Sequence, residues 1–350
     1  MENSELWDVI VIGAGPSGAT AARYASSQGA RVLLLDKAKF PRYKTCGGGI
    51  IGVSYSLLPP KARDTIELQV TRGIFSYGGR FVRERKGSES FVGMVQRQRF
   101  DQALVDTAIE SGAEFRDGLQ VRDIFDRDGV VEVKAGASTF RAKVVIGADG
   151  TSGRTARYVG VEYARIDLGL ESEIQKPVGD SSWDDGVWLD WGKASGSYAW
   201  VFPKGDRLTV GVIQRKGHPD ETRDYLDSWI RHLHLYSQPV LHSSGHLTKW
   251  RSQRSPLTKG NVIVAGDAAG FLEPWTRDGI SFALRSGRIA GESAARAAAL
   301  EQGARHAQLI AYEGAVLEAL GEEQAVGARL LKLYEKSPWL FHLAIGWTSA

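Results

Sequence analysis

The hydrophobic pattern divides the chain into three textures. Leu6–Ile12 (LWDVIVI) is a short, nearly continuous apolar run, as expected of a strand buried on both faces. A Gly-rich turn follows. Ala19–Ser27 is rich in Ala and predicts a helix stopping at Gly29, and Ala30–Leu35 (ARVLLL) predicts a second buried strand ending at Asp36. This is a βαβ unit. Phe40–Gly52 is punctuated by Pro and Gly and reads as a loop without regular structure. Ile66–Phe91 alternates among many charges and reads as strands. Phe100–Ser111 has helical spacing and stops at Gly112. Val121–Phe125, Val130–Val133 and Phe140–Ile146 predict strands, with Asp128-Gly129 as a hairpin turn.

From about residue 162 short aromatic strands dominate: Val187–Trp191, Tyr198–Phe202 and Leu208–Ile213. They predict an antiparallel sheet, followed by a helix over Glu221–His234. The buried-strand texture returns at Asn261–Ala265 (NVIVA), and Gly279 to Glu335 is helical. The expected fold class is α/β, α+β overall. A first domain made of 1–64, 95–160 and 258–300 is interrupted by an antiparallel-sheet domain of 65–94 and 161–257. Helices over 301–350 complete it. No internal repeat is visible.

The turn after the first strand is Gly13-x-Gly15-x-x-Gly18, with Asp36 eighteen residues after Gly18. Gly13 permits the tight turn, Gly15 lets a pyrophosphate approach the backbone, and Gly18 lets helix and strand pack closely. The helix N-terminus offers N–H donors to phosphate, and Asp36 would accept from a ribose hydroxyl. The domain is therefore Rossmann-type. Gly47-x-Gly49-x-x-Gly52 matches the same pattern with no strand before it and reads as a plain Gly-rich loop. With no second unit there is no dedicated nicotinamide domain, so the dinucleotide held is FAD rather than NAD. Val144–Gly150 (VVIGADG) and Val262–Ala269 (VIVAGDAA) are strands running into Asp-Gly and Gly-Asp turns, in the order such a site requires.

Composition narrows the classes. The 350 residues are 43% hydrophobic and 24% charged, which excludes a disordered or collagen-like chain. Forty-four Lys and Arg against 41 Asp and Glu leave +3, with no basic stripe, so no nucleic-acid partner is expected. The single cysteine, Cys46, excludes a disulfide framework or a Cys-rich metal site and suits a reducing, cytoplasmic setting. The polar start, Met1 to Glu5, predicts no leader, and no run reaches the ~18 apolar residues of a membrane span. His232, His234, His242 and His246 lack a carboxylate or thiol at ligand spacing, so no metal is expected. Arg80, Arg83, Arg85 and Lys86 form a basic run that suits a solvated edge, a phosphate or anionic lipid. Ser337–Trp347 is apolar with Trp near both ends, suiting core packing or peripheral membrane contact.

Three segments carry a resemblance: Phe40–Gly49 (FPRYKTCGGG), Tyr198–Asp206 (YAWVFPKGD) and Leu284–Arg288 (LRSGR). The chain resembles the single-Rossmann flavoproteins of the para-hydroxybenzoate hydroxylase type and, more narrowly, the geranylgeranyl reductase family, from about Leu6 to about Glu335. The resemblance implies that Gly13, Gly15, Ser17, Gly18, Asp36 and Lys37 hold the ADP half of FAD. It implies that Arg42, Cys46, Gly47 and Gly49 line the flavin, with Arg97, Val121 and Asp149 along the cofactor. Asp267 would bind the ribityl chain, and Gly279 and Ile280 would present N–H groups to the ring. The inserted sheet would form a prenyl tunnel, with Trp188, Tyr198, Trp200 and Phe202 as its walls.

Two positions depart from the family pattern. Arg277 stands where a Gly is usual, so either its backbone is strained at positive φ or its guanidinium stabilises reduced flavin. Gly153 stands where a Ser is usual. The chain's end soon after Gly346 is early for the family and implies a shortened C-terminal element.

The implied activity is reduction of C=C bonds in a prenyl chain on a lipid, quinone or diphosphate, by hydride from flavin N5 plus a proton. NAD(P)H or a ferredoxin-like donor would reduce the flavin. An electron-rich alkene needs a placed acid, a dry cavity and aromatic faces that tolerate carbocation character. Tyr198 and Trp200, on one strand face, are candidates for the last role, or are ordinary sheet core. Cys46 relays the proton, or simply packs. An aromatic monooxygenase or halogenase shares every FAD motif, and a non-catalytic prenyl-binding escort protein would need none of them.

Overall fold

The computed structural model describes residues 5–191 and 194–347, with side chains placed as far as Leu343. The polar start, Met1 to Ser4, lies outside the described residues, as does the Trp347 side chain.

The buried apolar runs pair as expected. Leu6–Ile12 lies between Val32–Leu35 and Ser138–Gly147, parallel to both, and Val262–Val264 and Glu114–Arg116 extend the sheet, also in parallel. Strands such as Val32–Leu35 (VLLL) bury every residue, as expected of a parallel strand covered on both faces. The hairpin Val121–Arg127 and Val130–Ala135 joins this sheet through Ser138–Gly147, and Asp128 takes a positive φ at its turn. Helix Pro16–Ser27 packs against Ile280–Ala298.

The second sheet has seven strands, in the order Val240–Arg251, Tyr163–Gln175, Arg207–Arg215, Tyr198–Lys204, Gly186–Trp191, Arg72–Tyr77, Arg80–Lys86. It is antiparallel except where Gly186–Trp191 runs parallel to Arg72–Tyr77. One face packs on helix Pro219–His232 through Tyr225, Leu226 and Trp229. The other faces the Rossmann sheet across a cavity. Helix Gln302–Lys336 and the short helix Pro338–Trp347 close one end, where Leu331, Tyr334 and Phe341 meet Trp191 and Trp275.

Three expectations are corrected. The segment read as loop contains a strand, Gly49–Ile51, because Ile50 is fully buried and pairs with Gly93 in a three-stranded sheet with Ile66–Val70 and Val92–Val95. Helix starts lie three or more residues earlier than expected, at Pro16 and Arg97. The two longest strands, Tyr163–Gln175 and Val240–Arg251, went unforeseen because their polar residues hide the alternation.

Candidate active site

A cavity of about 1110 Å3 runs from the Gly13 turn to the inner face of the seven-stranded sheet. This exceeds the ~300–1,000 Å3 usual for one small ligand, so it has room for a cofactor and a substrate together. Every site residue expected from the sequence lines it except Gly18 and Trp188.

The dinucleotide end is built by the first βαβ unit. Gly13 has φ +100 and its N–H donates to the Leu35 carbonyl (2.7 Å). Gly18 sits behind the turn, so close to the Gly13 carbonyl that a Cβ would overlap it. A Cβ on Gly15 would meet only Arg42, at 3.5 Å, so this residue presents open backbone to the cavity. Asp36 accepts from the Ala14 N–H (2.7 Å) and the Ala38 N–H (2.8 Å), which fixes its carboxylate at the turn. Ser17 Oγ and Arg42 Nη1 are buried without a protein partner beside the helix N-terminus. Arg42 and Arg97 share one buried carboxylate, Asp101, at 3.0 and 2.8 Å, which leaves a net positive charge beside Gly15. Orphaned donors, a helix N-terminus and surplus positive charge suit a pyrophosphate. The residues present therefore fit FAD.

Gly153 now has a reason. Asp149 folds back over it, accepting from the Arg154 N–H (2.6 Å), the Thr155 N–H (3.1 Å) and the Thr155 hydroxyl, and a Cβ at 153 would strike that carboxylate.

At the flavin end, the Cys46 N–H donates to Glu171 Oε1 (2.8 Å), and Lys204 Nζ donates to the Cys46 carbonyl (3.2 Å). The loop is thus held from the covering sheet. Burial, then the nearby Arg97 charge, lowers the Lys44 pKa against the pull of Asp267. Burial alone would raise Asp267, but the neighbouring His246, with Lys44 and Arg97 behind, holds it below the usual carboxylate range. His246 reaches Asp267 from the covering sheet (Nε2 to Oδ2, 3.7 Å).

Three expectations for this end are corrected. The Arg277 guanidinium is not free to face a flavin: it donates to Asp167 Oδ2 (3.0 Å) and to the Trp275 and Gly196 carbonyls. Its backbone does take the left-handed conformation, φ +58. The Ile280 N–H already donates to Asp278 Oδ1 (3.0 Å), as does the Ser281 N–H (3.3 Å). Trp188 points away from the cavity. The register pairs Trp188 with Val201 and Leu189 with Trp200, so Leu189 and Trp191 share the inner face while Trp188 stacks edge-on with Trp229 (5.6 Å).

Tyr198, Trp200 and Phe202 do form a wall, with ring centroids 5.9 and 6.4 Å apart. The Tyr198 hydroxyl donates to the Thr276 carbonyl (2.7 Å), and burial raises its pKa, so it stays protonated. The Trp200 Nε1 is buried and unpartnered.

Sequence reasoning missed Asp278, Glu171 and His246 as site groups. Asp278 was legible as the residue just before Gly279 at a helix start. Burial pushes its pKa up to about 6, against hydrogen bonds from Ser281 and Ile280. The folded state thus holds this proton more tightly than the unfolded chain, whose carboxyl titrates near 3.8. The associated stability is full below about pH 4 and is lost as pH rises through about 6. Asp278→Asn keeps the acceptor and cannot ionise. It should melt above wild type at pH 7.5 and lose that advantage at pH 4. A melting difference independent of pH would refute the assignment.

Comparisons with known proteins agree with this geometry. The family described as FAD binding domain matches residues 7–313. The digeranylgeranylglycerophospholipid reductase of Methanocella arvoryzae is 33% identical over 344 residues, covering 90% of this chain and 84% of that protein. An uncharacterized protein of Methanosarcina barkeri is 31% identical, covering 83% and 75%. Among solved structures, a geranylgeranyl bacteriochlorophyll reductase-like protein of Thermoplasma acidophilum superposes with TM-score 0.83 at 22% identity, covering 95% of this chain and 88% of that one. A flavin-dependent brominase superposes at 0.78 with 20% identity, covering 97% and 91%. At such identities these two show the fold alone. The family match and the reductase relative, on top of the dinucleotide turn, show an enzyme that uses FAD: the chain belongs to the FAD-binding-domain family, among its geranylgeranyl reductase-type oxidoreductases.

Proposed function

We propose that this enzyme saturates C=C bonds in the prenyl chain of a lipid, diphosphate or quinone. The observation that carries the reading is the cavity, continuous from the dinucleotide turn to an apolar wall of Leu189, Trp191, Tyr198, Trp200 and Phe202. The resemblance to reductases named for a digeranylgeranyl lipid supports the substrate class.

Bound and reduced, FAD supplies a hydride equivalent to one alkene carbon. The chain's own residues do the rest. Ser17, Arg42 and the turn at Gly13–Gly18 would hold the pyrophosphate. Asp36 and Lys37 would hold the ribose, and Asp267, with His246 behind it, would bind the ribityl chain. The aromatic wall excludes water and offers π faces to positive charge developing on the substituted carbon. A proton must reach the other carbon. Asp278, titrating near 6, and Cys46 are cavity groups able to hold it. NAD(P)H or a ferredoxin-like protein would act as a transient donor. No helix among the described residues is long and apolar enough to cross a membrane.

An anaerobic single turnover tests the reading. The chemically reduced protein should be reoxidised by geranylgeranyl diphosphate or a menaquinone, with two mass units gained per reduced bond. The brominase likeness keeps a second reading, oxygen-dependent chemistry on an aromatic compound. No anaerobic reoxidation, with fast reoxidation in oxygen and an oxygenated or halogenated product, would favour it.

A further inference from the structure

The seven-stranded sheet ends in an edge strand, Arg80–Lys86, on which every residue is exposed. Its start carries Phe81, 70% exposed with φ +50, and Val82, 54% exposed. Large apolar side chains at a turn tip are costly in water unless something covers them. Against this tip lies helix Pro338–Trp347. Its inner side buries Phe341 on Trp275 (5.4 Å) and Tyr334 (5.7 Å), and His342 lies against Tyr77, Trp191 and the Phe81 backbone. Its outer side exposes Trp339 (53%), Leu340 (50%) and Leu343 (43%), a spacing that puts them on one helix face. Hairpin tip and helix therefore present one apolar patch.

Positive charge runs along the edge strand from the patch. Arg80, Arg83, Arg85 and Lys86 lie on the edge strand, and Lys336 ends the preceding helix. The one acid on that strand, Glu84, pairs with Arg72 (3.3 Å), and Lys86 is 3.7 Å from Asp185. The patch also adjoins the cavity. Trp191, Tyr334 and Trp275, which carry Phe341 and His342 on one side, line the cavity on the other, and Phe75, paired in register with Arg83, lines it too.

We propose that the Arg80–Lys86 hairpin and the exposed face of helix Pro338–Trp347 form one docking surface for an anionic lipid bilayer, placed over the aromatic end of the cavity. Trp339, Leu340, Phe81 and Val82 enter the headgroup boundary, and the basic residues meet anionic headgroups. Charge complementarity favours this occupant over a second copy of the chain, whose identical patch would bring the same basic strand against itself. The proposal deepens the prenyl-lipid reading and rests on it for the choice of a bilayer.

The test is flotation of the full-length, FAD-loaded protein with phosphatidylcholine vesicles, with and without phosphatidylglycerol, at 0.1 M salt. Binding should require phosphatidylglycerol. The double variant Arg80→Glu/Arg83→Glu should weaken it at least tenfold, and so should Phe81→Ser/Trp339→Ser, with melting temperature and FAD content unchanged. Wild type that stays unbound with both vesicles, or variants that float like wild type, would overturn the proposal. So would a wild-type dimer that the Phe81→Ser/Trp339→Ser variant turns into a monomer, because a second copy would then cover the face. Single turnover with soluble geranylgeranyl diphosphate keeps the two readings apart. Flotation without prenyl reduction would sink the reaction and leave the surface standing, and the reverse would do the opposite.

Discussion

Asp167→Ala is expected to lower folding stability by about 3–5 kcal/mol, read as a shift of the urea transition. Asp167 is fully buried between two guanidinium groups. It accepts from Arg165 Nε (2.7 Å) and from Arg277 Nη2 and Nε (3.0 and 3.2 Å), and Arg165 continues to Glu335 on the long C-terminal helix. Removing the carboxylate leaves Arg277 as a buried cation with only carbonyl partners. Asp167→Asn, which keeps one acceptor, should lose less. Arg277→Gly should also lose less, because it relieves the positive φ, worth about 1–2 kcal/mol, and leaves Asp167 paired with Arg165. It should barely move the flavin midpoint potential, since Asp167 neutralises that charge in place. A loss below about 1 kcal/mol in Asp167→Ala would show the network to be solvated. A clear fall in potential in Arg277→Gly would restore the electrostatic role expected from the sequence.

Gly18→Val is expected to yield a colourless protein. Its Cβ would overlap the Gly13 carbonyl and press on the Ala148 side chain at 3.2 Å. Overpacking of this kind costs about 1–3 kcal/mol, and it falls on the turn that presents N–H groups to the pyrophosphate. FAD affinity should drop tenfold to more than a hundredfold, measured by flavin release on titration. Gly15→Ala separates protein strain from cofactor approach. Its added carbon meets no protein atom closer than 3.5 Å, so the FAD-free protein should keep its melting temperature while FAD binds more weakly. Unchanged FAD affinity in both variants would mean that the cofactor does not pass this turn.

The parts legible in the sequence are those whose physics is local. Gly13 and Gly18 advertise their turn because no other residue fits it, Gly15 because a cofactor needs its open backbone, and Leu6–Ile12 and Val32–Leu35 advertise burial on both faces. Residues that need a distant partner were not legible. Glu171, Asp167 and His246 lie on strands whose polar residues look solvent-facing until Cys46, Arg277 and Asp267 are brought opposite them. Trp188 shows the same limit in a sheet. Which face of Gly186–Trp191 looks inward is set by pairing with Tyr198–Lys204, and a one-residue error in parity moves every side chain. Arg277 was singled out correctly as an oddity, but its partner is 110 residues away.

Ser138–Gly147 sits between Leu6–Ile12 and Val262–Val264. During synthesis the chain emerges from its N-terminus, at about 5–20 residues per second. Tyr163–Gln175 through Val240–Arg251 are therefore made before the last parallel strand of the dinucleotide sheet exists. Until then the Val145–Gly147 end of this strand, beyond its pairing with Val130–Ala135, keeps an open edge, a template for pairing with other chains. The covering sheet has its strands before the sheet it covers is closed, and distant pairings of this kind form slowly. Aggregation of incomplete chains would then be set by how long that edge stays open, which is the time taken to make the covering sheet, and slower synthesis through Tyr163–Val264 should raise it.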